Sequence, residues 1–178
     1  MARSKQPEDA IALLKEDHRK VEKLFHAFES ARDPNRKKQL VEQICRELVV
    51  HATIEEEIFY PACKEHVEED LLEEGYVEHD GAKVLIAELM DGSPDDEFFD
   101  AKVSVLSEMI GHHVKEEEKR GEGLFTQARK AGLDVDALGE RLKARKQELL
   151  DEIERSGIPT PQTRSFTGHN LEESRPVA

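Results

Sequence analysis

Tryptophan is absent from the 178-residue sequence, tyrosine occurs twice and cysteine twice, and no long apolar run is present. Each scarcity excludes something. Cys45 and Cys63 stand alone without a CxxC spacing, so the chain has neither a disulfide framework nor a thiolate metal knot, and they read as reduced, buried small hydrophobes. No segment approaches the roughly 18 apolar residues of a membrane helix, and the opening MARSKQPEDA lacks the apolar core of a signal peptide. The expectation is a soluble, cytoplasmic protein with no membrane partner. Basic clusters are missing as well. Forty acidic residues against 26 basic give a formal charge of -14, which repels a phosphate backbone, so no nucleic-acid partner is expected.

What remains is rich in charge and in helix formers. Charged residues make up 37% of the chain and apolar residues another 37%, a balance suited to amphipathic helices around one core. Apolar positions recur at helical spacing over Glu8–Ala31, where Asp33-Pro34 ends one helix and starts the next. A second helix is expected from Pro34 to His66, loosened at Tyr60-Pro61. A third should span Glu68–Asp91 and a fourth Asp95–Lys119, with Asp91-Gly-Ser-Pro94 between them and Gly121 and Gly123 breaking the end. Residues 1–132 thus read as an all-α, up-down-up-down four-helix bundle. Residues 133–156 read as an accessory helix that packs along the bundle or against another copy of the chain, which allows a homo-oligomer. Residues 157–178, with three prolines and little apolar content, read as a disordered tail.

The chemistry lies in an internal repeat. His18 is followed by apolar residues at +3, +6, +7 and +10, and His79 is followed by the same pattern. His51 and Glu55 lie four residues apart, as do His113 and Glu117, which stacks each pair on one helix face. His18 to His79 spans 61 residues, and His51 to His113 and Glu55 to Glu117 span 62 each. Two copies of one helical hairpin, packed face to face, bring the six side chains to a common axis, where bundles build metal sites. The pair His112/Glu116 has the same spacing as His113/Glu117, so spacing alone leaves that assignment open; the helical phase of Leu106, Ile110 and Leu124 favours the later pair. Glu56, Glu57, Glu116 and Glu118 read as solvated faces, and His26, His66 and His169 carry no assigned role.

His, His-x-x-x-Glu, His, His-x-x-x-Glu, with the strings HATIEEEIFYP and HHVKEEE, resembles the hemerythrin-like HHE cation-binding family over about residues 8 to 130. The resemblance implies two non-haem iron atoms per chain held by His18, His51, Glu55, His79, His113 and Glu117. Four imidazoles, two bridging carboxylates and an oxo or hydroxo bridge fill all but about two of the octahedral positions of such a pair. The implied partner is O2, peroxide or nitric oxide, in sensing, storage, detoxification or iron handling. A metal-stabilised regulatory or interaction module without gas or redox chemistry is the alternative. Two departures stand out: Lys83 occupies the place of an additional histidine in oxygen-carrying hemerythrins, and Lys119 to Gly123 intervene where an aromatic residue and proline usually follow the second motif. Ferritin-like sites use Glu-x-x-His, which occurs nowhere in this chain.

Overall fold

A computed structural model describes residues 9–168. Seven α-helical segments follow in order: α1 Ala10–Ser30, α2 Pro34–Ile54, α3 Tyr60–Cys63, α4 Glu69–Asp91, α5 Phe99–Glu118, α6 Leu124–Lys130 and α7 Val135–Ser156. Local chemistry sets their starts. Asp9, Asp33 and Asp134 accept the backbone N–H groups of Ala12, Arg36 and Ala137, which caps α1, α2 and α7, and Pro34 opens α2 where its missing N–H costs nothing. α1 packs on α2 and α4 on α5, and the two hairpins meet to close the bundle.

The expected second helix is broken in a particular way. Regular α-helix stops at Ile54, a π-helical turn runs over Glu55–Phe59, and α3 ends at Cys63 rather than His66. Pro61 has no N–H to give the carbonyl four residues back, and the wider turn absorbs that conflict while its first residue, Glu55, points into the core. α5 starts at Phe99, later than Asp95, because Asp96 folds back to accept the Ser93 N–H and holds a turn there.

Two apolar clusters fill the bundle on either side of a polar belt. One contains Val21, Phe25, Phe28, Ile44, Leu48, Ile86 and Leu106; the other contains Leu14, Val50, Phe59, Leu72, Phe125 and Leu142. Each such fully buried side chain contributes about 1.5–3 kcal/mol relative to exposure. α7 lies along α1 and α2 of its own chain, with Leu138, Leu142 and Leu149 in the second cluster, so the accessory helix belongs to the same core. The region from 157 to 168 forms no helix or strand, in keeping with its composition, yet Arg164 and Ser165 are hydrogen-bonded to Asp80. The remainder of the expected tail, 169–178, lies outside the described residues, as does His169.

Candidate metal centre

The polar belt contains all six residues of the repeat. His18, His51, Glu55, His79, His113 and Glu117 are buried at mid-bundle, with Glu55 fully inaccessible. Nε2 of His18 lies 3.1 Å from Nε2 of His51, and Nε2 of His79 lies 3.2 Å from Nε2 of His113. The carboxylates stand between these pairs. One oxygen of Glu55 is 3.3 Å from Nε2 of both His51 and His79, and one oxygen of Glu117 is 3.4 Å from His18 and 3.6 Å from His113. Two overlapping groups suited to a cation result, His18–His51–Glu55–Glu117 and Glu55–His79–His113, which share Glu55. The adjacent pair falls outside: His112 is 66% exposed at its side chain, against 4% for His113.

Every ring is oriented from behind by a carboxylate. Nδ1 of His18 faces Glu118 at 2.8 Å, Nδ1 of His51 faces Asp17 at 3.5 Å, Nδ1 of His79 faces Glu56 at 3.0 Å and Nδ1 of His113 faces Glu78 at 2.7 Å. An imidazole that donates Nδ1–H backward presents a bare Nε2 lone pair forward, the tautomer a metal requires. The expectation that Glu56 and Glu118 are solvated is corrected here: each is drawn inward by a histidine of the facing hairpin. The sequence carried the signal. An acid precedes the first histidine of each hairpin (Asp17, Glu78) and another follows the glutamate (Glu56, Glu118), so the repeat extends to the orienting shell.

Lysine or arginine backs three of the four acids in turn. Lys146 of α7 holds Asp17, Lys83 bonds Glu56 at 2.7 Å and Arg19 bonds Glu118. Burial raises the carboxyls of Asp17 and Glu56, but their histidine and lysine partners bring both below the usual range. His18 is the main cause that lowers Glu118. Lys83 is therefore paired with Glu56 and Asp80 behind His79, and it also lines the small cavity beside the cluster.

Aromatic rings cap both ends. Tyr60 stacks on His79 at 5.5 Å between ring centroids, and Phe125 stacks on His18 at 5.8 Å, both at 15°. Neither ring's role is legible in the sequence. Gly75 makes room for Tyr60, since a Cβ there would sit 2.9 Å from its hydroxyl. The loop between α5 and α6 supplies Phe125: a Cβ on Gly123 would lie 2.6 Å from the carbonyl oxygens of Glu116 and Glu117, so only glycine lets α6 fold back this closely. The segment 119–123 is a tight corner that re-registers the second motif. Tyr60 also donates its hydroxyl to Glu117 at 3.0 Å, and Phe125 has nothing to offer Glu55.

The donor set fits a cation. Both oxygens of Glu55 and one of Glu117 are buried without a hydrogen-bond partner, while four Nε2 lone pairs converge on them. Acceptors facing acceptors in a dry core are costly unless a cation or protons intervene. Without metal, protons take that place. Burial alone would lower His18, yet Glu117, Glu118 and Glu55 raise it to about 9. Burial and the neighbouring Glu117 push Glu55 up, whereas the histidines outweigh burial and hold Glu117 down. Beside the cluster a cavity of about 30 Å³, walled by Val21, Leu48, Ala82, Ile86, Ile110 and Val114, has room for a water or a diatomic molecule.

Comparison with known proteins bears on the fold and the family. A DNA nickase from Nostoc is 31% identical over 106 residues, 60% of this chain, and the chain spans only 30% of that protein's length. The crystal structure of a hemerythrin HHE cation binding domain-containing protein from Mycobacterium kansasii superposes with a TM-score of 0.70 over 84% of this chain and 94% of that one, at 20% identity, a likeness of fold. No helix among the described residues is long and apolar enough to cross a membrane. Residues 9–121 match the hemerythrin HHE cation binding domain, and the chain belongs to that family.

Proposed function

We propose that the chain is a non-haem di-iron protein whose two irons are held by His18, His51, Glu55, His79, His113 and Glu117, and which binds O2, peroxide or nitric oxide in sensing, storage, detoxification or iron handling. The observation that carries this reading is the fully buried Glu55, unpartnered at both oxygens and equidistant from the Nε2 atoms of His51 and His79. A carboxylate so placed could serve as a ligand shared by the two groups of donors, were each to hold a cation. The mixture of imidazole and carboxylate suits iron better than thiolate-seeking metals or an all-oxygen calcium site. When bound, an iron pair supplies Lewis-acid and redox chemistry toward a small ligand. The protein's own part is to fix the four rings through their Nδ1–H donors, to keep water out with Phe59, Tyr60 and Phe125, and to hold a proton on the Tyr60 hydroxyl, whose ionisation burial and Glu117 both oppose.

The Nostoc relative is named a DNA nickase. A surplus of acidic residues, 40 against 26 basic, opposes a phosphate backbone, so DNA cleavage has no part in this reading. Protein produced with iron is expected to hold close to two irons per chain and to change its near-ultraviolet and visible absorption on exposure to O2, peroxide or nitric oxide. Iron near zero, or iron whose spectrum no small ligand alters, contradicts it.

A further inference from the structure

The family match ends at residue 121, but the chain beyond it reaches back to the metal centre in both hairpins. In the first, Lys146 of α7 grips Asp17, the carboxylate behind His51. In the second, Asp80 is fully buried beside His79, and its Oδ2 accepts the Arg164 N–H at 2.7 Å, the Ser165 N–H at 2.5 Å and the Ser165 hydroxyl at 2.7 Å. Its Oδ1 accepts Lys83 at 3.1 Å, and the same ammonium bonds Glu56, the acceptor of His79 Nδ1–H. The Arg164 guanidinium lies 4.6 Å over Tyr76, whose ring meets Tyr60 edge-on.

A buried carboxylate is tolerable only when its lone pairs are filled. For Asp80, three of the four donors come from the strap at residues 164–165. With the strap lifted, Oδ2 would lose its three protein donors, and a stronger pull of Asp80 on the Lys83 ammonium it shares with Glu56 would loosen the hold on His79. In the first hairpin, loss of Lys146 leaves Asp17 free to turn from His51, to which it already makes the longest of the four orienting contacts, 3.5 Å.

We propose that Lys146 and the Arg164–Ser165 strap are positioning elements of the metal centre, Lys146 acting through Asp17 on His51 and the strap acting through Asp80, Lys83 and Glu56 on His79. The inference rests on the reading that the cluster holds metal. Coupling is reciprocal, so metal at the histidines also tightens the strap.

The test uses the full chain, with Fe(II) under anaerobic conditions competed against a chromophoric chelator, and amide hydrogen exchange at Arg164 and Ser165 with and without Fe(II). Removing direct partners of metal-bound histidines costs about 10–100-fold in affinity, so Lys146→Met and Asp80→Asn, one step further out, are expected to cost about 3–30-fold. Lys146→Arg restores the affinity, and Fe(II) slows exchange of the two strap amides in the wild type. Folded variants with wild-type affinity overturn the proposal. Where a variant does not fold, the wild-type exchange decides: rates unchanged by Fe(II) overturn the proposal, and slowing sustains it. A wild type that takes up no Fe(II) overturns the metal reading itself, and this proposal with it, before any variant is compared.

Discussion

The hairpin of α1 and α2 and the hairpin of α4 and α5 carry the same parts: two histidines, a glutamate four residues after the second, an acid before the first histidine and an acid after the glutamate. They differ in the aromatic residue that follows. The first hairpin ends in a π-helical turn that delivers Tyr60 to His79, and its hydroxyl reaches Glu117; the second breaks at a glycine corner and delivers Phe125 to His18, which leaves Glu55 without a donor. A duplicated scaffold has therefore produced two unequal carboxylates. Glu117 is held down by its histidine neighbours and anchored by Tyr60, and Glu55 is pushed up by burial and by Glu117. In the metal-free protein Glu55 is a cost and Glu117 a support.

The largest effect expected from breaking this comparison is on metal itself. Glu55→Gln and Glu117→Gln both abolish stoichiometric iron binding, measured by metal analysis, but their metal-free forms melt differently. Glu55→Gln melts at or above the wild-type temperature, since an unsatisfied buried charge is removed, whereas Glu117→Gln melts lower because it forfeits its histidine partners. Equal shifts in the two variants would refute the asymmetry.

Next come the orienting acids. Asp17→Asn, Glu56→Gln, Glu78→Gln and Glu118→Gln should each weaken Fe(II) by about 10–100-fold in chelator competition. Tyr60→Phe makes the two ends alike: it strips Glu117 of its hydroxyl donor, and leaving that buried acceptor unmet costs about 1–3 kcal/mol in a denaturant melt of the metal-free protein. The converse change, Phe125→Tyr, probes whether a donor at the other end relieves Glu55.

A smaller effect follows from His18. Its folded-state value, about 9, lies above the ordinary 6.5, so its protonated form stabilises the metal-free protein fully below pH 6.5 and ceases to do so as pH rises through 9. The melting temperature of the metal-free protein is expected to fall across that window while Fe(II) affinity rises, since the metal needs the neutral ring. The smallest effect is expected next door to a ligand: whereas His113→Gln loses iron, His112→Gln, exposed and 3.4 Å from Glu78, changes the affinity by less than about twofold.

The six inner residues were legible in the sequence because helical spacing and duplication are local signals, and both survive in one chain without any partner. His113 over His112 followed from helical phase. The orienting acids lie one residue further along the same repeat but were not legible as such, because an acidic residue beside a buried one is indistinguishable from a solvated face until the facing hairpin is in place. Phe125 was hidden by the glycine corner, which moves it out of register with Tyr60. The link from Ser165 to Asp80 had no local signal at all: it joins residues 85 apart, and the composition of the strap points only to the absence of helix.

Whether the four Nε2 atoms and two carboxylates hold the proposed metal pair is tested most directly by anomalous diffraction from iron-loaded crystals at the iron edge. Two anomalous peaks are expected, one beside His18 and His51 and one beside His79 and His113, with Glu55 between them. A single peak, or peaks away from these side chains, would contradict it.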